Sequence, residues 1–187
     1  MPNEVLIKTG TQLSFADHGT DFVGGAAKTS LEQAGATDVQ IDLTSLANAS
    51  GQESAKFDFG ATRAARYSCM AAIESTTAMT AGNTIDFYLA PSPDGTAANG
   101  NPGQIDGVDG AAPSGVGTLA ELLAVCIQIG SLVVENTAST VQVGHVGVFM
   151  PPERYGILIV VNNSAQTLTA DAVEHHVVFN PIVDEIQ

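Results

Sequence analysis

Apolar and polar residues alternate along most of this chain, and a period of two limits its fold more than any other feature. Successive side chains of a strand point to opposite faces, so alternation marks strands with one buried face. Val39-Gln40-Ile41-Asp42-Leu43, Lys56-Phe57-Asp58-Phe59 and Thr84-Ile85-Asp86-Phe87-Tyr88-Leu89 all read this way. Val141–Phe149 is a longer version, with Gly144 and Gly147 where a bulge or close packing fits. Ile157–Val161 and Val177–Phe179 are continuous apolar runs, as expected of strands covered on both faces. With Glu4–Lys8, Gln12–Phe15, Arg66–Ile73 and Ile127–Glu135 they make about ten candidate strands, separated by turn sequences such as Ala81-Gly82-Asn83 and Asn162-Asn163-Ser164. The expectation is a mainly β chain: one domain over 1–187, an antiparallel β-sandwich or jelly-roll-like fold, with residues 1–35 as an N-terminal arm and strands.

Thr118-Leu119-Ala120-Glu121 has the form of a capping box and predicts one short helix, with Ser30-Leu31-Glu32-Gln33 as a weaker version. Residues 91–117 stand apart. Pro93, Asp94 and Gly95 open the segment, Asn101-Pro102-Gly103 and Asp106–Gly110 continue it, and its only large apolar residues are Ile105, Val108 and Val116. It reads as a long Pro/Gly-rich loop, of the kind that in a compact domain usually carries a function.

Composition removes several functions. Six Lys and Arg face 20 Asp and Glu, a formal net charge of −14, and after Arg66 the only basic side chain is Arg154. Nucleic-acid binding needs clustered basic residues, so none is expected. No run reaches the roughly 18 apolar residues of a membrane-spanning helix. The start, Met1-Pro2-Asn3-Glu4, carries no basic stretch ahead of a long apolar one, and synthesis in a reducing cytoplasm is expected. Cys69 and Cys126 sit among apolar residues and read as free thiols.

The chemistry-bearing residues assemble no catalytic pattern. Asp94, Asp106 and Asp109 lie beside glycines, which suits turns better than a calcium loop, and no EF-hand spacing is present. His175 and His176 are adjacent, so on a strand they face opposite ways and cannot share a metal unless the fold adds His18 or His145. Gly24–Ser30 lacks the Gly-Lys pair of a phosphate loop, and no Gly-x-Ser-x-Gly elbow occurs. The expectation is a non-enzyme with no catalytic residues, cofactor or metal. Arg63 and Arg66 form the one close basic pair, suited to the protein's own carboxylates ahead of an acidic partner. Scarce charge, 14% in all, suggests a surface partly covered by copies of the same chain.

Val141–Phe149, the link Pro151-Pro152-Glu153-Arg154-Tyr155-Gly156 into Ile157–Asn163, and the ending Phe179-Asn180-Pro181-Ile182-Val183-Asp184-Glu185-Ile186 resemble small proteins encoded among the structural genes of tailed phages and prophages. Asp58–Tyr67 and Tyr88–Pro93 belong to the same pattern, which spans the chain from about Gln52 onward. The resemblance implies a virion structural protein. A capsid decoration or cement protein on the head exterior, bridging capsomers and bound to the major capsid protein as a homo-oligomer, preferably a trimer, is the first expectation. A tail or head–tail connector component is the alternative, and a receptor- or glycan-binding virion module a further one. Arg63, Arg66, Pro93, Asp94, Pro102 and Arg154 are the candidate partner-contact residues.

Overall fold

A computed structural model describes residues 10–24, 30–115, 117–171 and 173–183. The expected strand Glu4–Lys8 and most of the Gly24–Ser30 segment lie outside them. The described chain forms eleven strands and one short α-helix: β1 (Leu13–Ala16), β2 (Thr37–Gln40), β3 (Ser50–Glu53), β4 (Phe57–Asp58), β5 (Arg66–Ile73), β6 (Thr84–Ser92), β7 (Gly110–Ala112), α1 (Leu119–Leu123), β8 (Ile127–Val133), β9 (Gln142–Phe149), β10 (Tyr155–Asn163) and β11 (His176–Ile182). Two sheets result. One has the order β2-β1-β11-β5-β9, the other β7-β3-β10-β6-β8, with β4 also pairing β10. Every pairing is antiparallel except β1 with β2, which run parallel. The architecture is a mainly β sandwich.

Alternation decides which side chains meet between the sheets. Leu158 and Val160 of β10, Ile85, Phe87 and Leu89 of β6, Val177 and Phe179 of β11, and Tyr67, Cys69 and Ala71 of β5 all point inward to one core. Phe15, Phe57, Phe59, Tyr67, Phe149 and Phe179 stack edge-on or tilted at its centre, with Phe15 and Phe179 4.6 Å apart. The opposite faces of the two central strands are also covered, which explains why Ile157–Val161 and Val177–Phe179 are apolar throughout. Ile157, Ile159 and Val161 pack outward against Ile105 and Leu122, supplied by the 91–117 segment and α1. His176 and Val178 face outward beneath the connection from β1 to β2, which is tied down where Leu31 N–H donates to His176 Nε2 (2.8 Å) and Gln12 Nε2 donates to the Leu31 carbonyl (3.0 Å).

Three local expectations are corrected. The alternation at Val39–Leu43 buries Val39, Ile41 and Leu43, but the paired strand is Thr37–Gln40, in register with the four residues of β1, and Ile41 N–H closes it by donating to the Ala16 carbonyl (3.0 Å). Ser30–Gln33 forms no helix: its polar groups are taken by distant partners, with the Glu32 carboxylate accepting from Ser14 and Gln33 N–H donating to Gln12. Residues 91–117 are not one open loop. The segment begins within β6, contains a 3₁₀ turn at Pro102–Gln104 and strand β7, and buries Ile105. The helix at Thr118 has its full capping box: Thr118 Oγ1 accepts from Glu121 N–H and the Glu121 carboxylate accepts from Thr118 N–H.

Candidate interaction surface

The sandwich has two open sides, and they differ. On one, the outer strands β2 and β7 have four and three residues. On the other, β8 and β9 have seven and eight, and neither contains a Lys, Arg, Asp or Glu. Ile129, Leu132, Val146 and Phe149 turn into the core, leaving Ile127, Val133, Val143 and Val148 exposed, with Val125 and Met150 at the strand ends. Met150 is 69% exposed and Val133 62%. A cleft of about 250 Å³, lined by Val133, Glu135, Thr137, Thr140 and Val143 among others, lies at one end of this side.

Paired bulges and glycines draw the two strands together. Register shifts leave Ile129 unpaired on β8 and Val146 unpaired on β9. The Ile129 carbonyl then lies over Gly147 and the Val146 carbonyl over Gly130, so close that a Cβ on either glycine would stand 2.3 Å or 2.2 Å from the oxygen. Only glycine admits that backbone approach. The core is thereby sealed, and the flanking valines are left facing outward.

The residues expected to contact a partner fall into two groups elsewhere. Arg154, after β9, holds Asp58 through both carboxylate oxygens (2.9 and 2.6 Å) and lies 5.1 Å from the centre of the Tyr155 ring. That guanidinium keeps the Asp58 carboxyl below its ordinary range, with Arg63 adding a smaller pull. Arg66 opens β5, exposed, opposite Ile182. Pro93, Asp94 and Pro102 belong to the covering segment, where Pro93 is exposed and Pro102 starts the 3₁₀ turn. The Asp94 side chain accepts from Thr96 N–H (2.7 Å), an Asx turn, and its carbonyl accepts from Lys56 Nζ.

Sequence reasoning missed Lys56 and Glu53. Lys56 Nζ lies 2.6–3.0 Å from Ser92 Oγ and the carbonyls of Asp94, Thr96 and Asn99, its three N–H groups shared among the four oxygens, and so pins the start of the covering segment. Glu53 is fully buried and accepts from the Ser114 hydroxyl, while its Oε2 has no hydrogen-bond partner among the described residues. Burial raises its carboxyl to about 7, Asp106 and Asp109 push the same way, and the Ser114 hydroxyl opposes them. His176 is neutral by construction, with Nδ1–H donating to the Glu174 carbonyl and Nε2 accepting from Leu31. His175 is buried with neither ring nitrogen partnered among the described residues. Cys69 and Cys126 are free thiols, and burial pushes Cys126 up to about 12, far from a reactive thiolate. The absence of charge along Ile127–Val133 and Gln142–Phe149 was legible from the sequence; that the two runs meet on one side was not.

No protein-family model, curated protein or solved structure matches this chain.

Proposed function

We propose that the chain is a non-enzymatic structural subunit of a tailed-phage virion, in the first reading a capsid decoration or cement protein that assembles with copies of itself and docks on the major capsid protein. The asymmetry between the two open sides carries this reading. Monomeric β proteins guard long edge strands with lysine, proline or inward charge. The β8/β9 side has none of these charges and exposes a row of valines. Copies each carrying −14 repel over most of their surface, so the side built on two uncharged strands, with Glu135 at one end, is where they meet at least cost. The occupant of that side is a second copy of the chain.

Strand order adds support. Numbering β1, β3, β5, β6, β8, β9, β10 and β11 from one to eight, the sheets read 1-8-3-6 and 2-7-4-5. We read this as jelly-roll winding, an architecture shared by viral capsid and lectin domains, among others. Fold analogy alone assigns no function. A glycan-binding role gains nothing from the surface: all seven Phe residues and Tyr67 are buried, and the ring of Tyr155 lies beneath Arg154.

Light scattering of the purified protein should give a closed oligomer, and Val133→Lys with Val148→Lys should release a folded monomer of unchanged melting temperature. Heads prepared without the protein should bind the wild type, not the double variant, and should burst at lower temperature when left bare. A monomeric wild type that leaves heads unaltered defeats the proposal; binding to tails alone moves the subunit to the tail.

A further inference from the structure

Three electron-pair donors converge where the connection between the parallel strands β1 and β2 lies against the sheet. His18 follows β1, Glu32 lies in the connection, and Asp38 is on β2. One ligand atom from each lies within 4.8 Å of the others. His18 Nε2 stands 2.9 Å from the Ser14 carbonyl oxygen. A carbonyl only accepts, so Nε2 carries the hydrogen and the neutral ring presents its lone pair at Nδ1. That atom is 3.8 Å from Asp38 Oδ2. Glu32 is oriented by the same residue, since the Ser14 hydroxyl donates to its Oε2 (2.7 Å). Its Oε1 occupies the space over Gly24, where a Cβ would lie 2.0 Å away, so the bare glycine leaves room for the carboxylate. A histidine held by a backbone carbonyl through one nitrogen, with the other aimed at carboxylates, is the outer-shell arrangement that fixes metal-ligating imidazoles.

We propose that His18 Nδ1, Glu32 and Asp38 bind a divalent first-row transition metal of the zinc class, with water as the fourth ligand. Imidazole nitrogen with carboxylate oxygens suits zinc, whereas calcium and magnesium take oxygen alone. Ligand atoms in a zinc tetrahedron stand about 3.3 Å apart, so the 3.8 Å separation closes by a small rotation of the exposed Asp38 side chain. The ion is a staple. The connection 17–36 contains no helix or strand among its described residues, and the metal ties its beginning, its later part and the strand that follows it into one unit.

Zinc is titrated calorimetrically into the chelator-treated full-length protein, with calcium as comparator. The expected result is one zinc per chain, a higher melting temperature with zinc, no comparable binding of calcium, and at least a tenfold loss of affinity in both His18→Ala and Asp38→Asn. Asp38 is 63% exposed, so its variant retains the fold and keeps the test meaningful if His18→Ala does not. Absence of saturable zinc binding, or binding unchanged in Asp38→Asn, overturns the proposal and leaves the three groups as a polar cluster that packs the connection against the sheet.

Discussion

Glu53 is where burial and charge oppose each other most plainly. In the folded chain its carboxyl stays protonated up to about 7, and in the unfolded chain it ionises near its ordinary 4.5. Between those values the folded state binds more protons, so this group's stabilisation is complete below 4.5, falls as pH rises, and is gone above about 7. Gln at this position imitates the protonated form, with an oxygen for Ser114 and an N–H for the unpaired side. Urea unfolding of Glu53→Gln should match the wild type near about pH 4 and exceed it near about pH 8, by on the order of 3 kcal/mol. Equal destabilisation at both would mean that the wild-type carboxylate is ionised and satisfied. His175 acts with the opposite sign. Burial lowers it from 6.5 to about 4, so the unfolded chain takes up a proton first and stability falls as pH drops through that window.

At the scale of elements, the contact between β8 and β9 is a backbone contact, and its weak point is a missing side chain. Gly147→Ala places a methyl group 2.3 Å from the Ile129 carbonyl, a backbone atom that moves only if β8 moves. The expected cost is about 1–3 kcal/mol, the range for overpacking a close-fitting site, measured by thermal unfolding. An unchanged melting temperature would show that the two strands separate without consequence. The covering elements behave differently. Lys56 reaches into the 91–117 segment and Ile105 reaches out of it, so a stretch with the composition of a loose loop is fastened by an ammonium group and an apolar side chain, together with the Asp109 carboxylate and the β7 ladder. Neither Lys56 nor Ile105 was visible beforehand as an anchor, because nothing local distinguishes Lys56 from a surface lysine or Ile105 from an exposed one.

Over the whole molecule, a net charge of −14 opposes every self-association. Salt shortens the screening length from about 30 Å at 0.01 M to about 8 Å at 0.15 M. Oligomerisation through the uncharged β8/β9 side should therefore strengthen with ionic strength across that range, as followed by sedimentation. Weakening with salt would point to ion pairs at the interface, with Arg63, Arg66 and Arg154 the first residues to substitute.

The sequence alone determined which faces of the alternating segments are buried, the two runs covered on both faces and the short capped helix, because side-chain period and capping are local properties; the bounds of β2 and β4 it did not. It also determined that β8 and β9 carry no charge. Tertiary structure decided the rest. Ser50–Glu53 and Gly110–Ala112 hold no large apolar residue, yet pair as β3 and β7, because a ladder with a neighbouring strand satisfies their backbone groups. Burial of Glu53, the meeting of the two uncharged strands on one side, and the convergence of His18, Glu32 and Asp38 all depend on which distant segments lie side by side. That choice is made by packing across the core and between the sheets, and no local window of sequence contains it.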